Sequence, residues 1–389
     1  MSERGLALLG GLTPARFLAE YWQKKPLLVH QALPGFRSPL SPDELAGLAC
    51  EDGVEARLIL ERDRARPWQL EHGPFPEARF ASLPESHWTL LVQRVNQWLP
   101  EVATLLDHFA FLPDWRLDDV MVSYAADQGS VGPHTDQYDV FLIQGLGRRR
   151  WQIDATVGDD APLLEHPDLR ILREFSPTDE WILQPGDMLY LPPGLAHYGV
   201  ALGDDCMTFS VGFRAPTHRE LVTAWVDDVI ALLPDTLRFA DPDRAPASHP
   251  GALPAADRQR IREIIRQTFM DDETIDRWFG RYITAPAGET PATATSVAHL
   301  VGALRDGLPV RRSEMVRLAF LEEDDRFLFF CNGEEIPVPE PLRPLAIHLA
   351  DGRQIDASLL PLLEAPAARE WITPLLEQGL LEFDDDIAD

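Results

Sequence analysis

Residues 132–143 read Gly-Pro-His-Thr-Asp-Gln-Tyr-Asp-Val-Phe-Leu-Ile, so a turn-forming Gly-Pro pair leads into a short apolar run. An apolar run of this length after a turn favours a buried β-strand. His134 and Asp136 stand two residues apart where that strand begins, and residues i and i+2 of an extended chain point to the same side. The stretch therefore predicts a strand that brings one imidazole and one carboxylate toward a common centre.

A third ligand is expected from residues 185–197, Pro-Gly-Asp-Met-Leu-Tyr-Leu-Pro-Pro-Gly-Leu-Ala-His. Here Pro and Gly end a strand and turn His197 toward the end of a neighbouring strand. Two histidines and one carboxylate on one face of an octahedron are typical of non-haem iron(II) oxygenases, whereas zinc usually takes four ligands in a closed site. We therefore predict an iron site made by His134, Asp136 and His197.

Each part of this site has a competing interpretation. A His-x-Asp pair is a weak signal alone, and the chain contains a second one at His166–Asp168. That second pair lies in an acidic, proline-flanked stretch without strand alternation, so we do not expect it to bind metal. Taken alone, His197 is better explained as a hydrogen-bonded core histidine. The metal interpretation depends on the Gly-Pro approach to His134, the surrounding strands and the turn before His197.

Residues 145–151, Gly-Leu-Gly-Arg-Arg-Arg-Trp, offer a cation for an acidic cosubstrate. Strand alternation puts Arg149 on the same face as Trp151 and opposite Arg148 and Arg150. A guanidinium can bind a carboxylate through two parallel hydrogen bonds, which suits Arg149 to that task. Three solvated surface arginines after a turn are an equally good interpretation of these residues alone.

Short strands surround these motifs. We predict them at Asp119–Tyr124, Tyr138–Ile143, Arg150–Ile153, Glu180–Leu183, Met188–Leu191 and Met207–Phe213. The Gly and Pro turns between them indicate a small antiparallel barrel or sandwich. The N-terminal third is expected to be mixed helix and loop, with a helix capped by Thr13, a capping box at Ser41–Glu44 and a core-facing helix over Trp88–Leu106.

Helices are predicted to follow the barrel. Thr217 begins a second capping box, and the proline-rich loop Asp241–Pro254 leads to an amphipathic segment ending near Tyr282. These helices could pack on the barrel or pair across a dimer axis, and Ala285–Ala292 is a predicted linker. A small winged-helix-like domain is suggested by a helix at Ser296–Leu304, strands around Val316–Cys331 with an Asn332-Gly333 turn, a helix at Ala367–Gln378 and the final segment Leu380–Phe383.

Length and composition agree with several soluble domains. The chain has 389 residues and is 45% hydrophobic, enough to bury a core in each of two or three domains. Its formal net charge of -28 argues against general binding to nucleic acid, because phosphate contacts need clustered Lys and Arg. Such a charge would attract a basic partner, although solubility alone is its commoner explanation.

The same sequence predicts a cytoplasmic location. Cys50, Cys206 and Cys331 have no metal-type spacing and cannot form an even set of disulfides, which fits a reducing compartment. Apolar runs such as Met188–Pro193 are too short to cross a bilayer, and the N-terminus lacks a basic region followed by an apolar stretch. We therefore expect no association with a membrane.

Three motifs together resemble the JmjC oxygenases, and more closely their bacterial ribosomal oxygenase branch. They are GPHTDQYDVFLIQGLGRRRW (132–151), LQPGDMLYLPPGLAHYGV (183–200) and FSVGFRAPT (209–217), and the opening LLGGLTPARFLAEYWQKKPLLV (8–29) is also similar. The resemblance implies an α+β fold with a double-stranded β-helix, a jelly-roll or cupin-like JmjC barrel, in residues 1–215 behind an N-terminal helical extension. It further implies a helical dimerisation region at 216–284 and a winged-helix-like domain at 295–389.

The resemblance also implies an activity. A member of this branch would be an iron(II)- and 2-oxoglutarate-dependent dioxygenase that hydroxylates an arginine side chain of a large-subunit ribosomal protein and releases succinate and carbon dioxide. His134, Asp136 and His197 would ligate iron, and Arg149 would bind the distal carboxylate of 2-oxoglutarate with Ser123 as a second anchor. The substrate-binding residues would be Asp119 against the guanidinium, Met121 on the same strand face and Tyr138 along the channel. The implied partners are the basic substrate and a second copy in a homodimer, without direct contact to nucleic acid.

Two other functions stay open at this point. One is a non-catalytic cupin-type sensor joined to a DNA-binding winged helix. A recognition helix should carry several basic residues on one face, yet Ala367–Gln378 offers only Arg369. DNA binding stays open because the same domain has further basic residues at Arg311, Arg312 and Arg317. The other is a JmjC N-demethylase, which uses the same metal ligands, so that only the organisation of the whole chain favours a hydroxylase.

Overall fold

The computed structural model describes residues 4–61, 68–158, 160–166, 168–247, 249–286, 294–323 and 325–383. The chain forms two compact units, Met1–Ala215 and Pro216–Asp389. A separate hydrophobic core lies within each unit. None of the helices in the described ranges is long and apolar enough to cross a membrane.

The first unit is built mainly of antiparallel strands. They are β1 (Leu27–Val29), β2 (Ala56–Glu61), β3 (Trp68–His72), β4 (Trp88–Val92), β5 (Leu117–Ala125), β6 (Val140–Leu146), β7 (Arg149–Asp154), β8 (Asp179–Leu183), β9 (Met188–Leu191), β10 (Ala196–Ala201) and β11 (Cys206–Phe213). The helices are α1 (Pro14–Glu20), α2 (Pro42–Leu48), α3 (Glu77–Ala81) and α4 (Pro100–Ala103), with 3-10 turns at Ala7–Leu9, Val95–Gln97, Thr104–Phe109 and Asp114–Arg116.

Two sheets face each other across the first unit. As far as the described strands go, an 8-stranded sheet has the order β1-β9-β6-β11-β5-β4-β2-β3, and a 3-stranded sheet has the order β10-β7-β8. Apolar side chains of β6 and β9 from the large sheet and of β7 and β8 from the small sheet share one core cluster, formed by Val140, Leu142, Trp151, Ile153, Leu183, Leu189 and Leu191. This arrangement is a double-stranded β-helix, and the predicted fold class is confirmed.

The outer face of the large sheet packs on the N-terminal helices. Phe17 of α1 is fully buried and lies 5.1 Å from Tyr190 and 5.7 Å from Phe141, measured between ring centroids. The predicted cap holds this helix in place, because the Thr13 side chain accepts a hydrogen bond from the Arg16 amide. Strands such as β6 and β11 are therefore covered on both faces, which explains their nearly continuous apolar sequence.

The helix predicted over Trp88–Leu106 is wrong. Trp88–Val92 is strand β4, which pairs with β2 and β5, and the chain then turns at Arg94, whose φ is 54°. The spacing of the apolar residues had suggested one helical face. The first five residues instead form a strand of the large sheet, and only short helical turns follow. The strands β1 to β4 of the N-terminal third were likewise not predicted. β1 pairs with β9 and β4 pairs with β5, both distant in sequence, whereas β3 pairs with its neighbour β2.

The second unit contains the remaining elements. Its helices are α5 (His218–Leu232), α6 (Ala255–Phe269), α7 (Asp272–Thr284), α8 (Val297–Asp306), α9 (Arg343–Asp351) and α10 (Pro366–Glu377), with 3-10 turns at Glu340–Leu342 and Ala357–Leu363. Its strands are β12 (Val310–Arg312), β13 (Leu318–Glu323), β14 (Arg326–Cys331), β15 (Glu334–Glu335), β16 (Gln354–Ile355) and β17 (Leu381–Phe383). They form the small sheets β16-β12-β17 and β13-β14-β15.

Several local predictions for the second unit are confirmed. Thr217 and Glu220 form the capping box of α5, and Asn332 and Gly333 take positive φ angles between β14 and β15. A helix follows Ser296, and another covers most of Ala367–Gln378. The predicted linker Ala285–Ala292 falls largely outside the described residues.

Removing the Phe17 ring should destabilise the first unit. Phe17→Ala leaves a cavity among aromatic rings and is expected to lower the free energy of unfolding by about 3–5 kcal/mol. Phe17→Leu, which fills part of that space, should lose less. Urea unfolding followed by tryptophan fluorescence measures both variants. An alanine variant as stable as the wild type would show that this cluster does not hold α1 on the sheet.

Candidate metal centre

A pair of backbone hydrogen bonds brings the two histidines together. The His134 amide donates to the His197 carbonyl at 3.0 Å, and the His197 amide donates to the His134 carbonyl at 2.9 Å. Residues paired in this way stand directly opposite each other in an antiparallel ladder and project their side chains to the same face. The two imidazole centroids consequently lie 4.3 Å apart. His197 belongs to β10, which is fixed in turn by pairing with β7.

Asp136 completes the cluster. Its Oδ2 lies 3.8 Å from Nε2 of His134 and 3.5 Å from Nε2 of His197. The Asp136 carbonyl accepts a hydrogen bond from the Gly194 amide at 2.7 Å, so the turn before β10 also fixes the acid. One ligand atom from each of the three residues lies within 4.8 Å of the others. A single cation can therefore reach all three side chains that the sequence predicted.

Both imidazoles are oriented for binding a cation. Nδ1 of His134 lies 2.9 Å from the Gly132 carbonyl, and Nδ1 of His197 lies 2.9 Å from the Leu195 carbonyl. A carbonyl oxygen only accepts hydrogen bonds, so Nδ1 carries the proton in each ring and donates it. The lone pair of each Nε2 then faces the centre of the cluster, the arrangement that outer hydrogen bonds impose on metal-binding histidines.

Burial keeps His197 neutral. Desolvation, helped by the neighbouring His134, lowers the pKa of His197 to about 4. The side chain is only 3% exposed. Because a protonated imidazole cannot ligate a metal, this low pKa leaves His197 ready to bind at neutral pH.

A cavity of about 510 Å³ opens beside the cluster, and its inner wall carries Arg149. The Arg149 side chain is only 6% exposed. Its Nη1 donates to the Ser123 hydroxyl at 3.3 Å, while its Nε and Nη2 have no hydrogen-bond partner among the described residues. The guanidinium lies 5.6 Å from the centroid of Trp151. A buried cation with free donors is costly unless an anion meets it, so this wall is suited to a carboxylate.

Acidic side chains also line the cavity. Asp119, Met121 and Tyr138 all line it, as the sequence predicted from one strand face and from family resemblance. Burial raises the pKa of Asp119 to about 6, against a hydrogen bond from the Arg94 amide that lowers it. Burial and the charge of Asp136 raise the pKa of Tyr138 above its usual value. Ser123, which accepts the hydrogen bond from Arg149, and Asp119 lie four residues apart on β5, or about 13 Å along an extended strand, so this cation and this carboxylate line separate parts of the cavity.

The second His-x-Asp pair does not join the metal cluster. Nδ1 of His166 instead accepts hydrogen bonds from the amides of Asp168 at 3.1 Å and Leu169 at 2.9 Å. Residues 168–171 nevertheless line the cavity, a contribution that was not predicted. Arg57 of β2 and Gln93 after β4 also line it and were missed. The apolar run Leu58–Leu60 could have indicated a buried strand, but nothing local places that strand beside the barrel.

Comparison with known proteins places the chain in a family. Residues 104–221 match the JmjC domain, and residues 266–382 match the ROXA-like winged helix. The Escherichia coli strain K12 protein named ribosomal protein uL16 3-hydroxylase is 37% identical over 376 residues, which covers 95% of this chain and 97% of that one. The chain belongs to the JmjC ribosomal oxygenases. A probable ribosomal oxygenase of Haemophilus influenzae is 35% identical to this oxygenase, over 89% of this chain and 82% of its own.

Solved structures agree with this assignment. An X-ray structure of E. coli ycfD matches with a TM-score of 0.82 and 36% identity, covering 96% of this oxygenase and 98% of that chain. A structure of the same protein in complex with cobalt and 2-oxoglutarate matches with a TM-score of 0.80 and 36% identity, covering 98% and 100%. Family membership confirms the predicted class of enzyme, a 2-oxoglutarate-dependent dioxygenase, and its predicted cofactors, iron(II) and 2-oxoglutarate. The predicted C-terminal winged helix is also confirmed.

Metal binding should depend on the cluster and not on the second His-x-Asp pair. His134→Ala or Asp136→Ala removes a ligand and should weaken iron(II) or cobalt(II) binding by at least about 100-fold. Even the loss of a residue that only hydrogen-bonds to a metal ligand lowers metal affinity by about 10- to 100-fold. His166→Ala is the matched control and should bind metal as the wild type does. Anaerobic calorimetric titration measures all three. Equal affinity of the Asp136→Ala variant and the control would refute the assignment.

Proposed function

We propose that this oxygenase hydroxylates an arginine side chain of a large-subunit ribosomal protein, with iron(II) held by His134, Asp136 and His197. The observation that carries the proposal is the charge arrangement of one cavity. The cavity is lined by Arg149, whose Nε and Nη2 have no partner among the described residues, by the three metal ligands and by Asp119. Asp119 lies four residues along β5 from Ser123, the hydrogen-bond partner of Arg149, a distance of about 13 Å in an extended strand. An anionic cosubstrate and a cationic side chain can therefore meet at the metal from different directions.

The residues present fit both cofactors. Two neutral imidazole nitrogens and one carboxylate oxygen are the donor set that iron(II) oxygenases use. Among the described residues, Nε and Nη2 of Arg149 are buried without hydrogen-bond partners, and a carboxylate would satisfy them as a bidentate pair. Ser123, 3% exposed and hydrogen-bonded to Arg149, would be its second anchor. When bound, iron(II) and 2-oxoglutarate supply the oxidation of a C–H bond by dioxygen, with succinate and carbon dioxide as co-products.

The chain itself decides which carbon is oxidised. The carboxylate of Asp119 would bind a guanidinium, while Met121 beside it would pack on the aliphatic part of an arginine and Tyr138 would line the entrance. Fixing both ends of the side chain holds one carbon near the metal, and small errors in such positioning cost large factors in rate. An oxidant formed in this cavity would then act on the side chain that these residues present.

The class of substrate is supported by relatives and by charge. The E. coli relative is named for hydroxylation of ribosomal protein uL16. A net charge of -28 accelerates encounters with basic proteins, and ribosomal proteins are basic. A ribosomal substrate would agree with the cytoplasmic location that the sequence predicts. We infer that uL16 or a similar basic protein is the substrate.

The DNA-binding alternative loses support. Arg312 donates to the carbonyls of Leu349 and Ala350, and Arg369 of α10 donates to the Leu363 carbonyl. Arginines engaged within the fold are not presented to phosphates. Internal hydrogen bonds thus explain some of the basic residues that had made DNA binding by the winged helix an open alternative.

We also propose that residues 216–284 form the dimer interface, as predicted. No residue of α6 is buried in the described chain, yet Ile261, Ile264 and Ile265 lie on it with about half of their surface exposed. On α5, Val222 and Ile230 are also exposed. Apolar helical faces left uncovered in one chain are typical of a subunit interface.

A charge on this face should separate the subunits. Ile264→Asp places a carboxylate in the proposed interface and is expected to give a monomer in sedimentation velocity experiments, because an unpaired charge cannot be buried cheaply. Ile182→Asp, at a similarly exposed position on β8, is the control and should not change the sedimentation coefficient. A wild-type monomer, or an unchanged Ile264→Asp dimer, would exclude this interface.

The activity is tested with ribosomal protein substrates. The purified oxygenase, iron(II), ascorbate and 2-oxoglutarate should add one oxygen atom to an arginine of uL16, detected by tandem mass spectrometry, and should release succinate in equal amount. Arg149→Met should raise the KM for 2-oxoglutarate by about 10- to 100-fold, since it removes hydrogen bonds to a charged group.

Arg148→Met, an exposed arginine on the opposite strand face, is the control and should leave that KM unchanged. Oxygen on a residue other than arginine would reject the proposed substrate side chain. Equal KM values for the two variants would reject the role of Arg149.

Substrate binding should weaken in acid. Burial raises the pKa of Asp119 to about 6, so the carboxylate is protonated as the pH falls through that value and loses its attraction for a guanidinium. The substrate KM is therefore expected to rise below about pH 6 and to be flat above about pH 7. Asp119→Asn should have a high KM that does not follow this transition. A wild-type KM independent of pH would contradict the assignment.

A further inference from the structure

The turn after β4 holds the Asp119 carboxylate. Its Oδ2 accepts a hydrogen bond from the Arg94 amide at 2.8 Å. Arg94 adopts a left-handed backbone conformation, with φ 54° and ψ 34°, which is strained for an arginine. The same segment is fastened to β5, since Asn96 accepts a hydrogen bond from the Val120 amide at 2.9 Å. Two hydrogen bonds therefore connect the turn after β4 to β5, the strand that carries Asp119.

Gln93 bridges Asp119 and Arg57. Its amide nitrogen faces Oδ2 of Asp119 at 3.1 Å, and its amide oxygen faces Nη2 of Arg57 at 2.5 Å. In the reverse orientation the amide oxygen would face the Asp119 carboxylate and the amide nitrogen would face the Arg57 guanidinium, and neither pair could form a hydrogen bond. The partners therefore determine which way the amide points. Both Gln93 and Arg57 line the same cavity as Asp119.

This bridge separates two groups that would otherwise pair. An arginine and a carboxylate in one half-buried cavity tend to form a bidentate ion pair. Here Arg57 donates to the Gln93 amide, and the donors that reach Asp119 come from an amide side chain and a backbone N–H. Each hydrogen bond described for this carboxylate ends on Oδ2, which leaves Oδ1 for another donor. The Arg57 guanidinium is thus separated from the acid by the Gln93 amide.

We propose that Gln93 is a positioning residue that holds Asp119 and keeps Arg57 off it, so that the carboxylate is reserved for a cationic substrate side chain. The inference rests on the proposed function, in which Asp119 binds a guanidinium. Losing Gln93 would free Arg57 to occupy the carboxylate and compete with the substrate. The selectivity between an arginine and a neutral side chain of the same shape therefore depends on Gln93.

Peptide binding tests this role. Fluorescein-labelled peptides tiled across uL16 are compared with the same peptides carrying citrulline in place of arginine, using fluorescence anisotropy. Gln93→Leu should weaken binding of the arginine peptide by about 10-fold, the loss expected for hydrogen bonds to a charged group, and should leave the citrulline peptide unchanged. The double variant Gln93→Leu/Arg57→Met should recover most of the loss, because the competing cation is gone.

Matched variants separate the outcomes. Gln152→Leu, which removes an exposed hydrogen bond to Glu180, should bind both peptides as the wild type does, and circular dichroism verifies that every variant is folded. If the wild type makes no distinction between arginine and citrulline, or if Asp119→Asn distinguishes them as well as the wild type does, the proposed substrate class fails and this inference with it. Suppose instead that Asp119→Asn weakens binding of the arginine peptide. The role proposed for Gln93 is then overturned by itself if Gln93→Leu has no effect, weakens binding of both peptides equally, or is not rescued by Arg57→Met.

Discussion

The reciprocal backbone hydrogen bonds between His134 and His197 are the constraint on which the site depends. They join the segment before β6 to β10, and thereby place two imidazoles on one face, where hydrogen bonds from each Nδ1 set the ring orientation. The Gly194 amide then holds the Asp136 carbonyl. Since backbone geometry sets all three ligands, the barrel can present a cation site before any cation arrives.

Around that centre the fold keeps opposite charges apart at a cost in stability. Arg149 is buried with two nitrogens that find no partner in the described parts of the chain, and the pKa of Asp119 is raised by burial, so neither group is at its most stable in the free protein. Direct pairing between the cavity's arginines and acids would stabilise the fold but would fill the site. In the function that we propose, leaving them unpaired reserves each for a ligand of opposite charge, so that one cavity would distinguish an anionic cosubstrate from a cationic side chain.

The sequence was most informative where function lies in short motifs. His134, Asp136 and His197 could be predicted because two strand-and-turn motifs contain them, and Arg149 because alternation with Trp151 turns it inward. The helix expected over Trp88–Leu106 was wrong because pairing with β2 and β5 outweighs helical spacing. Arg57 and Gln93 could not be found, since only the pairing of strands distant in sequence brings them beside β5.

The central claim is that three side chains share one iron beside a single carboxylate-binding arginine. Crystals soaked anaerobically with iron(II) and 2-oxoglutarate test it directly through an anomalous difference map at the iron edge. We predict one strong peak about 2.1 Å from Nε2 of His134, Nε2 of His197 and an oxygen of Asp136, with the distal carboxylate of 2-oxoglutarate on Arg149. A peak elsewhere, or a cosubstrate that does not contact Arg149, would contradict the account.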